Sequence, residues 1–259
     1  MEKLMDRSAN RDAGAAYRRE IGQPDNDPSL NAPGYRAYVD EYYHNDIGMR
    51  DVLPKDDRII PVLTALCFRG AAKATERMVG AALDTGLEPR AILEIFIQSA
   101  LYSGLPRTEE AIEIAGRVFA ARGINLPDDP PDNRTIEEMY TDGCEVMAKL
   151  HGTRQAGGYA SPDNTITFSL YQGAIRHGYG QLWLRRGLNL RQRLICAIAG
   201  FTSASLHASL GKFAVSAVSQ GLSKDEVAEA AIQTAPWNGL PVALAALTVI
   251  GDALTAADG

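Results

Sequence analysis

The chain has 259 residues, 46% of them hydrophobic and 22% charged, with a formal net charge of −6 and a pI near 5.3. This is the composition of a folded globular protein with one large core or two smaller ones, and it excludes a disordered chain. No run of Lys or Arg could neutralise a row of phosphates, so nucleic acid is not an expected partner. Three widely spaced cysteines, Cys67, Cys144 and Cys196, form neither a redox pair nor a zinc knuckle, and fit a reducing cytoplasm.

Residues 1–7 lack the apolar core of an export signal, which again points to the cytoplasm. The first strong helical pattern runs from about Asp56 to Thr85, between the extended Leu53-Pro54 and a stop at Gly86. Glu88-Pro89 then starts a helix that ends at Gly104, and a third follows Pro106 to about Ala121. The prolines and acids between Gly123 and Asp132 read as an exposed linker. Beyond it, Ile136, Met139, Tyr140, Val146, Met147 and Leu150 keep helical spacing. A second long helix is expected from Arg193 to Gln220. It is followed by a helix that a capping box, Ser223 to Glu226, opens and Gly239 closes, and by one from Pro241 to about Ala256. The charge-poor stretches 193–212 and 229–252 are too rich in Ser, Thr, Asn and Pro for lipid, so no membrane association is expected.

The later elements repeat the earlier ones. A shift of 135 residues places Arg50 on Arg185, Arg58 on Arg193, Glu94 on Glu229 and Gln98 on Gln233. The same shift brings the Gly-Leu-Pro turn at Gly104 onto that at Gly239. A constant offset over so many positions marks a duplicated unit, with one copy in residues 1–125 and the other in 126–259. Strand patterns are scarce, so the expected fold is all-α, a tandem duplicated helical bundle.

Several motifs resemble a known family. They are Tyr140 to Gly143, Leu150-His151-Gly152, the run from Tyr179-Gly180 through Trp183, Arg185 and Gly187-Leu188 to Arg193, and Gln233 through Trp237 and Gly239 to Pro241. In order and spacing they are similar to the carboxymuconolactone decarboxylase family, whose fold includes the alkylhydroperoxidase D type. The first copy matches more loosely, through Arg18 to Gly22, Arg50, Arg58, Gly86 and Gln98 to Pro106. The resemblance implies a helical fold, trimeric or hexameric assembly with a trimer favoured for a two-unit chain, and a small-molecule substrate.

It also implies two branches of chemistry. The peroxidase branch uses a Glu, a Cys-x-x-Cys pair and a His, but those places hold Ile59, Ala71, Ala74 and Met78 in one copy and Leu194, Leu206, Ser209 and Phe213 in the other. A thiol peroxidase is therefore not expected. The decarboxylase branch works without a cofactor, and needs a cation for a carboxylate and a proton donor for the carbanion or enolate left behind. Its histidine is replaced by Met78 and Phe213. The expected activity is a cofactor-independent carbon–carbon lyase or isomerase acting on a lactone acid or β-keto acid; the alternative is a non-catalytic binding or scaffold protein on the same fold.

Candidate residues follow from helix geometry and charge. Glu94, Gln98 and Tyr102 share one face of an apolar helix, as do Glu229, Gln233 and Trp237, and such polar groups need either a ligand or a structural partner. Arg58 and Arg193 begin the long helices, where each either clamps a carboxylate or pairs with an acidic neighbour. His207 is the candidate acid or base, with Arg193 and Gln233 as its catalytic companions. Trp237, Trp183, His177, Tyr179, Gln98, Tyr102 and Arg58 are candidate substrate contacts. His44 lies in an aromatic segment that lines a pocket or packs on the core, and His151 reads as a helix C-terminal cap. No spacing suits a metal.

Overall fold

A computed structural model describes residues 6–152, 161 and 163–259 of the chain; residues 1–5 of the opening segment lie outside the described residues. Every regular element among the described residues is helical. The first unit comprises α1 (Arg7–Glu20), α2 (Tyr35–Tyr38) continuing into a π-helical turn (Val39–Gly48), α3 (Lys55–Arg69), α4 (Ala72–Asp84), α5 (Pro89–Ser103) and α6 (Leu105–Ala121). The second comprises α7 (Ile136–His151), α8 (Phe168–Gly173) with its own π-helical turn (Ala174–Tyr179), α9 (Leu190–Ser203), α10 (His207–Ser219), α11 (Lys224–Ile232), α12 (Ala235–Asn238) and α13 (Leu240–Asp258).

Each helix predicted as one long element is two. Gly70 takes φ +63° and caps α3, so the chain turns before α4. In the second unit Ser205 takes φ +54° in the same place without help from a glycine. The helix after Ser223 begins with the expected capping box. It breaks after Ile232 and resumes as α12, where Pro236 can sit in a first turn because no N–H is needed there.

The two units do not form separate cores. Helix α3 packs on α9, and α5 also packs on α9, so Ile60, Leu63, Ile95, Ile195 and Ile198 belong to one continuous apolar cluster. The N-terminal helices clamp the π-helical turns. A Cβ at Gly14 would strike the Asp40 carbonyl, and one at Gly143 would strike the Ile175 carbonyl, so both contacts depend on glycine. The predicted linker lacks helix but is pinned: Asp129 pairs with Arg90, Arg185 and Arg186.

Helix α13 is apolar in composition, with a mean hydropathy of 1.8 over Leu240–Ala257, and 22% of that window is buried. By length and composition it could cross a membrane. Leu240 and Leu244 stand exposed along it.

Candidate active site

The duplication places ion pairs across the unit boundary. Arg185 of the second unit donates from Nε to both carboxylate oxygens of Glu94 in the first, at 3.0 and 3.1 Å. The repeat-equivalent Arg50 of the first unit reaches Glu229 of the second at 2.9 and 2.8 Å. Both glutamates are fully buried, and the paired arginine offsets the cost of taking each carboxylate out of water.

Around these pairs the symmetry fails. Arg193 is 1% exposed; it donates from Nη1 to Gln98 Oε1 at 3.0 Å and from Nη2 to Glu94 Oε2 at 3.3 Å. In return Gln98 Nε2 donates to the Arg193 carbonyl at 2.8 Å. Arg90 adds a further bond to Glu94 at 3.1 Å. In the other half Gln233 Nε2 donates to Glu229 and to the Ile47 carbonyl, both at 2.8 Å. Arg58, the twin of Arg193, joins neither group, and its guanidinium makes no hydrogen bond or ion pair among the described residues.

Instead Arg58 lines a cavity of about 270 Å³ with Tyr17, Tyr43, Met78 and Gln233. Lys55 and Glu20 stand exposed at its edge, paired at 2.9 Å. Burial raises the Tyr17 hydroxyl above the usual phenol range, with Arg58 partly opposing that shift. Tyr17 is therefore a protonated donor at neutral pH beside an unpaired cation. Behind this wall His44 is fully buried against Tyr43 and Tyr17, with ring centroids 4.5 and 6.0 Å away. Burial lowers its pKa to about 3, aided by Arg18 and Arg77.

A second cavity, of about 220 Å³, is lined by Tyr102, Tyr171, Tyr179, Trp183, Phe201 and Phe213. It occupies the repeat-related place, since Phe213 and Trp183 are the twins of Met78 and Gly48. A third, of about 340 Å³, holds Trp237 with Arg77 and a group of tyrosines. Trp237 meets Tyr43 edge-on at 4.8 Å, so Tyr43 separates the third cavity from the first.

The predicted site residues are thus dispersed. Arg58 and Gln233 share the first cavity, Tyr102, Tyr179 and Trp183 share the second, and Trp237 belongs to the third. The structure gives Arg193 and Gln98 the structural alternative, since they bond each other in the core. His207 is not brought to Arg193 or Gln233: it is exposed at the first position of α10, because the chain turns just before it. His177 is exposed too, with Nδ1 3.2 Å from Gln181 Oε1. His151 does not act as a surface cap. It is 2% exposed, with Nδ1 2.8 Å from Ser216 Oγ and Nε2 3.2 Å from the Tyr179 hydroxyl.

The model of the carboxymuconolactone decarboxylase family matches residues 33–116 and 169–252, one match in each unit. The chain belongs to that family. Among curated proteins none matches it. Tyr17 on α1, which lines the first cavity, and His151 on α7 both fall outside the family-matched segments. All three cysteines are free, and burial raises Cys67 and pushes Cys196 up to about 11. Thiols so shifted are poor nucleophiles at neutral pH.

Proposed function

We propose that the protein is a cofactor-independent lyase or isomerase acting on a small carboxylated, enolisable substrate such as a β-keto acid or lactone acid, bound in the first cavity. The observation that carries this reading is the unpaired Arg58 in a cavity wall, set against its twin Arg193, which is bonded to Glu94 and Gln98. A buried cation without a partner is costly unless a ligand supplies the anion. A planar guanidinium suits a carboxylate held through two parallel hydrogen bonds.

In this mechanism Arg58 holds the carboxylate that stays, and Tyr17 is the proton donor. Loss of carbon dioxide from a β-keto acid or lactone acid that carries a second carboxylate, the one Arg58 holds, leaves an electron pair on carbon, delocalised onto the conjugated carbonyl oxygen, and water reprotonates Tyr17 after it has given its proton. A hydrogen bond from the neutral Tyr17 hydroxyl stabilises that oxyanion, and transfer of the Tyr17 proton quenches it. Gln233, held through its amide nitrogen, contributes its carbonyl oxygen as an acceptor.

Purified protein assayed against a panel of β-keto and lactone acids is expected to turn over at least one member. Arg58→Met should reduce kcat/KM at least a hundredfold, and Tyr17→Phe should lower kcat more than it changes KM. A binding role on the same fold is the second reading, favoured by the apolar Met78 and Phe213 in the cavity walls. It prevails if acids raise the melting temperature through Arg58 but none is consumed. The first cavity loses both roles if Arg58→Met changes neither turnover nor stabilisation.

A further inference from the structure

The third cavity, of about 340 Å³, takes no part in the chemistry assigned to the first, from which Tyr43 divides it. Three side chains that line it carry a buried polar atom with no hydrogen-bond partner among the described residues: Tyr42 Oη, Arg77 Nε and Trp237 Nε1. Such groups are costly to bury alone. The guanidinium and indole nitrogens can only donate, so what this wall lacks is an acceptor. Arg77 reaches one acid, Asp27, from Nη1 at a long 3.9 Å. That carboxylate already accepts from Gln23 Nε2 at 2.8 Å and from the Ser29 amide and hydroxyl at 2.9 and 2.7 Å. It does not line the cavity, where Arg77 is the charged group among the described residues.

The duplication marks this wall as a recurring one. At the offset of 135, Tyr43, Arg77 and Trp237 are the twins of Gly178, Lys212 and Tyr102, which line the second cavity. Both units therefore set a cation and an aromatic ring at the same place. A Cβ on Gly178 would meet nothing nearer than 3.8 Å, whereas the first unit has the Tyr43 ring there. That ring splits the space into two chambers, each with its own cation, Arg58 or Arg77.

The remaining walls are aromatic. Tyr35 stacks on Tyr38 at 6.2 Å, Tyr38 lies 5.6 Å from Tyr42, and Trp237 meets Tyr43 edge-on. Tyr35 and Tyr38 are 45% and 54% exposed, surface that a planar ring would cover. We propose that the third cavity is a binding site for a small aromatic carboxylate, whose charged group takes the donors of Arg77, Tyr42 and Trp237 and whose ring lies among the tyrosines. A guanidinium matches a carboxylate in shape as well as charge. The site stands apart from the first cavity and does not depend on the activity proposed there.

Isothermal titration calorimetry with benzoate, benzamide and cyclohexanecarboxylate tests this, in an Arg58→Met background so that the first cavity is silent. Benzoate should bind at one site, at least tenfold more tightly than benzamide, which lacks the charge, and than cyclohexanecarboxylate, which lacks the flat ring. Arg77→Met should bring benzoate level with benzamide, and Trp237→Phe should weaken benzoate at least threefold. Should Arg77→Met fail to fold, Trp237→Phe and Tyr42→Phe, which each delete one polar group from a retained ring, decide together. Absence of saturable heat, a benzoate affinity no better than that of benzamide, or one that survives Arg77→Met or, in its place, both ring variants would each overturn the proposal. Benzoate binding that the parent protein shows and Arg58→Met abolishes belongs to the first cavity, which overturns this site and leaves the reading of Arg58 intact.

Discussion

Arg58 and Arg193 occupy equivalent positions and should respond oppositely to the same substitution. Arg193→Met removes a buried partner from Glu94 and Gln98, which should cost on the order of 3 kcal/mol of stability in a denaturant melt. Arg58→Met breaks no bond within the fold, so its stability should stay within about 1 kcal/mol of the parent while acid binding is lost. His44 supplies a pH dependence. Its pKa falls from 6.5 to about 3 on folding, so the unfolded chain binds the proton more readily. The stability His44 contributes is complete above pH 6.5 and declines as pH drops toward 3. The slope should approach about 1.4 kcal/mol per pH unit. His44→Phe should flatten the melting curve between pH 6.5 and 5, and an unchanged slope would show that the ring is not buried neutral. The sequence identified Arg58, Gln233 and Tyr179 as candidates because charge and helical spacing are local properties. It could not separate Arg58 from Arg193, because what distinguishes them is whether a distant glutamate is within reach. His151 does end α7, as read, but it looked like a cap since its partners lie on α10 and the second π-helical turn, far along the chain.

At the level of elements, the repeat read from the sequence matches α3 through α6 with α9 through α13, and the capping box at Ser223 and the proline starts stand where expected. The breaks at Gly70 and Ser205 were not visible, because apolar periodicity continues through both turns. The N-terminal helices also escaped the repeat. Gly14 and Gly143 pack on the repeat-equivalent carbonyls of Asp40 and Ile175, yet they lie 129 rather than 135 residues apart. An alignment at constant offset misses helices that dock alike through loops of unequal length, and Tyr17 went unnoticed with them. Gly143→Ala should force the second π-helical turn away from α7 and cost about 2 kcal/mol or more. Gly116→Ala, exposed in α6 with open space around its would-be Cβ, should gain roughly 0.5–1 kcal/mol through helix propensity. Thermal melts of the two variants shifting in the same direction would contradict the packing argument.

For the molecule as a whole, the all-α duplicated architecture was legible, whereas the merging of the two units into one core was not. Interleaving of α3, α5 and α9 is a long-range outcome that periodicity does not encode. The exposed leucines of α13 fit the homotrimer expected from the family resemblance, which we retain as a proposal. Size-exclusion chromatography with light scattering should give a trimer mass that Leu244→Glu lowers, and a monomeric parent protein would dispose of it.

The exchanged arginines carry a final consequence. Two identical chains related by a twofold axis must alter both of their sites with every mutation, whereas a joined pair is free to alter one. Here one guanidinium has been released into an open chamber while its counterpart still bolts the framework together. Severing the polypeptide near Gly123 should accordingly yield halves that precipitate when made apart and recover as a pair when made in the same cell, each providing the counter-ion that the other keeps in its interior.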